Sequence, residues 1–303
     1  MTTIEQKIDS LKERHQAIIL AHNYEPPEIQ DIADITGDSL ALSIEAARLQ
    51  APVIIFCGVR FMAESAAILA PKSRVILPRP ESGCGLADMA EAAALRKFKE
   101  RHPGAVVITY VNSSAAVKAE SDLCCTSGNA VNVVNSIPAE RKIIFAPDRN
   151  LGAYVTRQTG RQLILWEGFC PIHDALTTTE VASARKKHPK AQLLVHPECR
   201  PEVAELADAV LSTGGMFSHV AKSPEQEFII ATEEGMLYPL RRAYPDKIFY
   251  PVNHGKMICP DMKLISLDDI RNSLESLEPR ITVASETAAR AKQALTRMLD
   301  IPR

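Results

Sequence analysis

The sequence predicts an α/β protein of three homologous three-layer αβα modules. Each carries a small parallel sheet, and the three are arranged with pseudo-threefold symmetry around a central site. Three observations predict this. One pattern occurs three times: IILAHNYEPPEIQDIADITGDS around His22, VVITYVNSSAAVKAESDLCCTS around Tyr110 and QLLVHPECRPEVAELADAVLST around His196. Each time, an apolar run ends on a ring-bearing polar residue, and a hydroxyl follows seventeen positions on, at Ser39, Ser127 and Thr213. Each repeat then supplies, 43 to 46 residues farther on, a cysteine beside a glycine or proline: Cys84, Cys170 and Cys259. Finally, near-continuous apolar runs alternate with helical stretches, as expected of parallel strands buried on both faces. A period of 88 and then 86 residues is too long for a solenoid and suits small α/β units.

In chain order, residues 4–14 read as a short amphipathic helix, with Ile4, Ile8 and Leu11 on one face. Strand-like runs follow at 17–21, 53–57 and 74–78, with a weaker candidate at 32–35. The second set is 106–111, 142–146 and 163–166, with a weaker one at 122–125. The third is 192–196, 209–212, 227–231 and 247–251. Helices are predicted over 39–49, 60–69, 86–101, 129–135, 151–159, 177–187 and 233–243. The module boundaries fall at 1–104, 105–190 and 191–282. An Ala-rich closing helix at 286–299, capped by Ser285, is expected to pack back on the first module as part of 283–303. No linker or low-complexity stretch separates the modules.

Charge excludes whole classes of partner. With 35 Lys and Arg against 37 Asp and Glu, the net charge is −2, so no basic field exists for nucleic acid or a membrane surface. No apolar run approaches the ~20 residues that span a bilayer, and the charged N-terminus lacks a signal-peptide core. Seven cysteines, odd in number and without a CxxC, argue for a reducing compartment with thiols kept for metal or catalysis. A cytoplasmic protein is expected.

Ser39, Ser127 and Thr213 each sit in a small polar turn that opens a helix. One alone reads as a Ser/Thr N-cap. Three at matched positions point to anion binding at helix starts. His22, Tyr110 and His196 stand at strand ends, where α/β sheets bind ligands, together with Tyr24, Asn112 and Glu198. That set suits acid–base work. Cys57, Cys124 and Cys125 lie in apolar runs and read as buried thiols, while Cys199 is ambiguous. Cys84, flanked by glycines, and Cys170 and Cys259, each followed by proline, offer three thiolates to a common point. Three thiolates fit a [4Fe–4S] cluster with one open iron better than a four-ligand structural zinc.

At this point the residues resemble a known family, the quinolinate synthases. The motifs are AHNY (21–24), GDSL (37–40), GCG (83–85), YVN (110–112), CTSGNA (125–130), EGFCP (167–171), HPEC (196–199) and ICPDM (258–262). The resemblance implies condensation of iminoaspartate with dihydroxyacetone phosphate in NAD biosynthesis. It implies one [4Fe–4S] cluster per chain, on Cys84, Cys170 and Cys259. It puts substrate contacts on His22, Ser39, Tyr110, Val111, Asn112, Ser127, His196, Pro197, Glu198 and Thr213, and catalytic roles on Tyr24, Glu198, His22 and His196. An enzyme that oxidises L-aspartate to iminoaspartate is the implied protein partner. Read from the residues alone, an iron–sulfur hydro-lyase and a zinc- or thiol-based redox sensor stay open as alternatives.

Overall fold

The computed structural model describes residues 3–49 and 51–301. The outer ends of the 1–104 and 283–303 segments, at 1–2 and 302–303, therefore lie outside the described residues. Three four-stranded parallel sheets form. The first holds β1 (Ala17–His22), β2 (Ile35–Gly37), β3 (Val53–Cys57) and β4 (Arg74–Ile76). The second holds β5 (Val106–Tyr110), β6 (Leu123–Cys125), β7 (Ile143–Ala146) and β8 (Ile164–Leu165). The third holds β9 (Gln192–Val195), β10 (Ala209–Val210), β11 (Glu227–Ala231) and β12 (Ile248–Pro251). Their orders, β2-β1-β3-β4, β6-β5-β7-β8 and β10-β9-β11-β12, are one topology used three times. Register repeats as well: His22 pairs with Gly37, Tyr110 with Cys125 and Val195 with Val210, each partner fifteen positions on.

One side chain sets that register in every module. Asp34, Asp122 and Asp208 stand just before the second strand. Their carboxylates accept from the N–H groups of Ile19, Val107 and Leu193 at 2.7, 2.8 and 2.7 Å. The N–H of each aspartate returns a bond to the carbonyl of the same residue, at 2.9 Å in all three. Each aspartate thus satisfies a backbone donor that the short second strand cannot reach. The strands themselves are wholly apolar where it matters. Every residue of β3, β5 and β7 is buried.

Several elements depart from the sequence reading. The helix expected over 86–101 is two pieces, a 3₁₀ turn at Ala87–Met89 and a helix at Ala92–Glu100. The break follows from tertiary bonding: Ala90 is extended, and the Met89 carbonyl accepts from the Trp166 indole at 2.9 Å. The helix expected over 233–243 likewise begins as a 3₁₀ turn, Glu234–Met236, before Leu237–Ala243. The weak strand placed at 32–35 starts only at Ile35, because Pro27–Ile32 is helical.

The tail binds the modules together. Helix Leu267–Ser276, inside the 191–282 segment, packs on the first module, against helix Ile4–His15 and β3. The Ile281 N–H then bonds to Val75, so the chain adds to the edge of the first sheet. The closing helix, Ser285–Leu299, is capped by Ala284 without a side-chain bond, and Ser285 is its first helical residue. It does not lie on the first module alone. It packs mainly on helix Ala115–Ala119 and β6 of the second, and also touches Arg60–Leu69 of the first. Its buried stripe of Ala291, Ala294, Leu295 and Met298 fills that seam, and Asn129 donates to the carbonyls of Met298 and Ile301 at 3.3 Å.

Candidate active site

The carboxyl ends of the leading strands of all three sheets meet at one small cavity of about 50 Å³. His22, Tyr110 and His196 line it, one from each module. Tyr24, Asn112 and Glu198 line it too, each two residues past its ring-bearing neighbour. The two histidines are built alike. The Nδ1 of His22 accepts from the Tyr24 N–H at 3.2 Å, and that of His196 from the Glu198 N–H at 3.4 Å. Burial pushes both imidazoles down to about 3, so at neutral pH they are uncharged. With Nδ1 accepting, the proton of each ring sits on Nε2.

Ser39, Ser127 and Thr213 complete the wall. They are not the helix caps that one hydroxyl alone would suggest. In the first and third modules capping falls on the residue before; in the second the helix starts only at Ala130, with Asn129 at its N-cap, and Thr126 closes the turn ahead of it. Asp38 accepts from the Ala41 N–H at 2.8 Å, Thr126 from Gly128 at 3.2 Å, and Ser212 from Gly215 at 3.1 Å. Among the described residues the side-chain hydroxyls of Ser39, Ser127 and Thr213 make no hydrogen bond, which leaves three hydroxyls for a ligand, two on the first residue of a helix and Ser127 in the turn three residues before one. Val111 and Pro197 do not line the cavity. The Val111 N–H and carbonyl are engaged by Cys125 and Ser113 at 2.9 and 2.8 Å.

A chain of polar contacts crosses the site. The Tyr24 hydroxyl lies 2.5 Å from Thr232 Oγ1, which lies 2.8 Å from His173 Nε2. His173 Nδ1 lies 2.8 Å from a Glu198 oxygen. Every member is buried. Burial alone would raise the Glu198 carboxyl, but His173, His196 and a hydrogen bond from the Tyr110 phenol outweigh it and hold Glu198 down to about 2. Burial and the nearby Glu198 charge raise Tyr24 well above the usual phenol range, so it carries its proton at neutral pH. A donor and an acceptor therefore stand at opposite ends of one chain. Asp148 is wholly buried, and burial and the Glu198 charge push its carboxyl up from the usual range. Thr232, His173 and Asp148 were absent from the sequence reading. Only Thr232 has a positional signal, since it follows the third strand of its sheet.

Cys84, Cys170 and Cys259 are not among the residues that line this cavity, and Cys170 Sγ lies 3.2 Å from His173 Nδ1. A Cβ at Gly85 would meet Pro171 at 3.2 Å, and the Gly83 N–H donates to Asp261 at 3.1 Å, so the three cysteine loops touch. These three thiols are half-buried, while Cys57, Cys124, Cys125 and Cys199 are fully buried. Burial pushes Cys84 up to about 12 and Cys259 to about 11, and it raises Cys170 as well. Thiolates there need a cation. Cys170, His173 and Glu198 also form a group whose ligand atoms lie within 4.8 Å of one another and could hold a metal.

With this geometry in view, the relatives are informative. The sequence model of the family described as NadA, Quinolinate synthetase A protein, matches residues 6–300. This chain belongs to that family. The quinolinate synthase of Geobacter sp. (strain M21) is 54% identical over 301 residues, covering 99% of this chain and 98% of that protein. That of Desulforudis audaxviator (strain MP104C) is 54% identical over 293 residues, 97% and 96% of the two chains. That of Methanosarcina barkeri (strain Fusaro / DSM 804) is 52% identical over 296 residues, 98% and 97%. A solved structure, the E-1-hydroxy-2-methyl-but-2-enyl-4-diphosphate reductase of Plasmodium falciparum, aligns at a TM-score of 0.35 and 11% identity, over 91% of this chain and 94% of that one. No argument rests on that likeness. Family membership makes the chain an enzyme that catalyses a condensation, in NAD biosynthesis. Among the described residues no helix is long and apolar enough to cross a membrane.

Proposed function

We propose that the chain condenses iminoaspartate with dihydroxyacetone phosphate to give quinolinate, phosphate and two waters. The observation that carries the reading is the cavity itself, where three modules bring three free hydroxyls, two neutral imidazoles, a protonated phenol and an ionised carboxylate to one point. One substrate has two carboxylates and the other a phosphate. Ser39 and Thr213, each at the positive end of a helix, and Ser127, in the turn before one, match that demand for anion binding. The Nε2–H groups of His22 and His196 add two neutral donors.

Phosphate loss, imine formation and dehydration require proton transfers and no net redox change. Tyr24 is the acid in this reading, and Thr232 and His173 link it to Glu198, the base. Asn112, 3.4 Å from the second oxygen of Glu198, and the Tyr110 phenol keep that carboxylate ionised and aimed. Each leg of the chain is a hydrogen bond, so the proton that Glu198 takes from substrate can pass through His173 and Thr232 to replace the one Tyr24 gives up, without opening the site.

The donor set fits an iron–sulfur cluster on Cys84, Cys170 and Cys259. Among the described residues the three sulfurs do not all lie within 4.8 Å of one another, a wider spacing than one ion takes. Their raised thiols want positive charge, and glycines 83 and 85 let the loops come close. When bound, a [4Fe–4S] cluster with one open iron supplies a Lewis acid for a carboxylate or hydroxyl oxygen. An enzyme oxidising L-aspartate is the class of reaction that would supply iminoaspartate. The test is anaerobic loading with iron and sulfide, followed by incubation with both substrates. Quinolinate should form. A fully loaded brown protein that makes none would reject the reading.

A further inference from the structure

The loop that carries Tyr24 is held by a lysine from another module. Lys263 Nζ donates to the Tyr24 carbonyl and forms an ion pair with Glu233 at 2.9 Å. Glu233 is buried, and its carboxylate also accepts from the Gly235 N–H at 2.7 Å and the Cys259 N–H at 3.1 Å. Gly235 lies directly against the Tyr24 backbone: a Cβ there would stand 2.6 Å from the Tyr24 oxygen and 2.8 Å from its Cα. Lys263 closes the 3₁₀ turn Pro260–Lys263, which Cys259 precedes. One carboxylate and one ammonium thus join three backbones: the Tyr24 loop, the segment after β11, and the turn that follows Cys259.

Lys263 does not line the cavity, and its hydrogen bond to Tyr24 is to the main chain; its charge also faces His22, where it adds to burial in keeping that imidazole neutral. The charges around it are also unequal. Glu25, fully buried with neither carboxyl oxygen bonded, faces Lys263, Glu233 and Glu28. Burial pushes Glu25 up to about 8, so near neutral pH it is mostly uncharged and Lys263 is left to Glu233. The ammonium is therefore free to direct its remaining protons to the Tyr24 carbonyl.

We propose that Lys263 and Glu233 are positioning residues that couple the Cys259 turn to the backbone of Tyr24, so that cluster loading orders the loop bearing the acid. This rests on the reading of Tyr24 as the acid and Cys259 as a ligand. A turn anchored through Cys259 fixes Lys263, and Lys263 fixes the Tyr24 carbonyl. An unanchored turn leaves that carbonyl without its charged donor.

The test uses the full chain, loaded and after iron chelation. Lys263→Met keeps the length and apolar stem of the side chain but removes the charge and the donor. Its iron and sulfide content should match the parent, while turnover falls about tenfold or more, the size of a lost charge-assisted hydrogen bond. Combined with Tyr24→Phe, Lys263→Met should cost less than about twofold further, since a residue acting through Tyr24 has nothing left to position. Hydrogen exchange gives the second readout. In the parent, chelation should speed amide exchange across residues 23–29 about tenfold; in Lys263→Met exchange should already be fast and chelation should add nothing. The pair Lys263→Met with Glu233→Gln, which leaves no unpaired buried charge, should behave alike and guards against simple misfolding. Full multiplication of the two rate losses, or an unchanged response to chelation in Lys263→Met, would overturn the coupling. If the loaded parent makes no quinolinate, it is the functional reading that fails, and the exchange arm still decides the coupling.

Discussion

The first and third modules end their leading strands alike and then part. In both, a buried histidine stands at the strand end, as the last residue of β1 or the first after β9, and its Nδ1 accepts from the N–H two residues on. In the first module that second residue is Tyr24, and in the third it is Glu198. The scaffold is thus constant while one side chain changes from a neutral phenol to an ionised carboxylate. Environment completes the split: burial drives the phenol up, and two imidazoles with a phenol hydrogen bond hold the carboxylate down. Repetition places the groups, and divergence at one position makes an acid face a base.

The largest expected effect tests whether the three modules are equivalent as ligands. Cys170→Ser, Cys259→Ser and Cys84→Ser should each lose the brown colour and most iron, with no quinolinate formed, whereas Cys124→Ser should keep normal iron. Normal iron and sulfide in any of the first three would break the equivalence. Next come the residues that differ. Tyr24→Phe and Glu198→Gln should each keep iron content and fold while turnover falls by on the order of a hundredfold. A variant within a few-fold of the parent would remove that residue from proton transfer.

The shared histidines give a smaller, pH-dependent effect. Both are pushed down to about 3 in the fold, below the usual imidazole value. The unfolded chain then binds more protons than the folded one below about pH 6.5, so this contribution to stability is lost as pH falls from there toward 3. Between pH 6.5 and 5 each histidine should cost about 2 kcal/mol, read as a drop in the urea midpoint. His22→Gln and His196→Gln should each flatten that slope by about the same amount. Unequal flattening would show that the two sites are not the matched pair that their backbones suggest.

The smallest effect tests the scaffold beneath. Asp34→Ala and Asp208→Ala each leave a strand N–H without its carboxylate acceptor, at a cost of about 1–3 kcal/mol. Thermal unfolding should fall by several degrees in both. Similar losses would mark one register device used in each module.

Much of this was legible in the chain. The three strand-end residues, the hydroxyls seventeen positions on and the matched cysteine of each repeat are local patterns, because strand period, turn chemistry and repeat length are written in neighbouring residues. What the chain could not show was which residue of each turn bonds the backbone, since Asp38 and Ser39, Thr126 and Ser127, or Ser212 and Thr213 carry equivalent chemistry side by side. Three-dimensional packing assigned the first of each pair to the backbone and left the second to the cavity. Thr232, His173, Lys263 and Glu233 were equally hidden. Their roles come from contacts across modules, up to 239 residues apart for Lys263 and Tyr24, and no local pattern encodes such a meeting. The tail was misplaced for the same reason. A buried stripe on helix Ser285–Leu299 says that it must pack, while only the shape of the seam between the first two modules decides where.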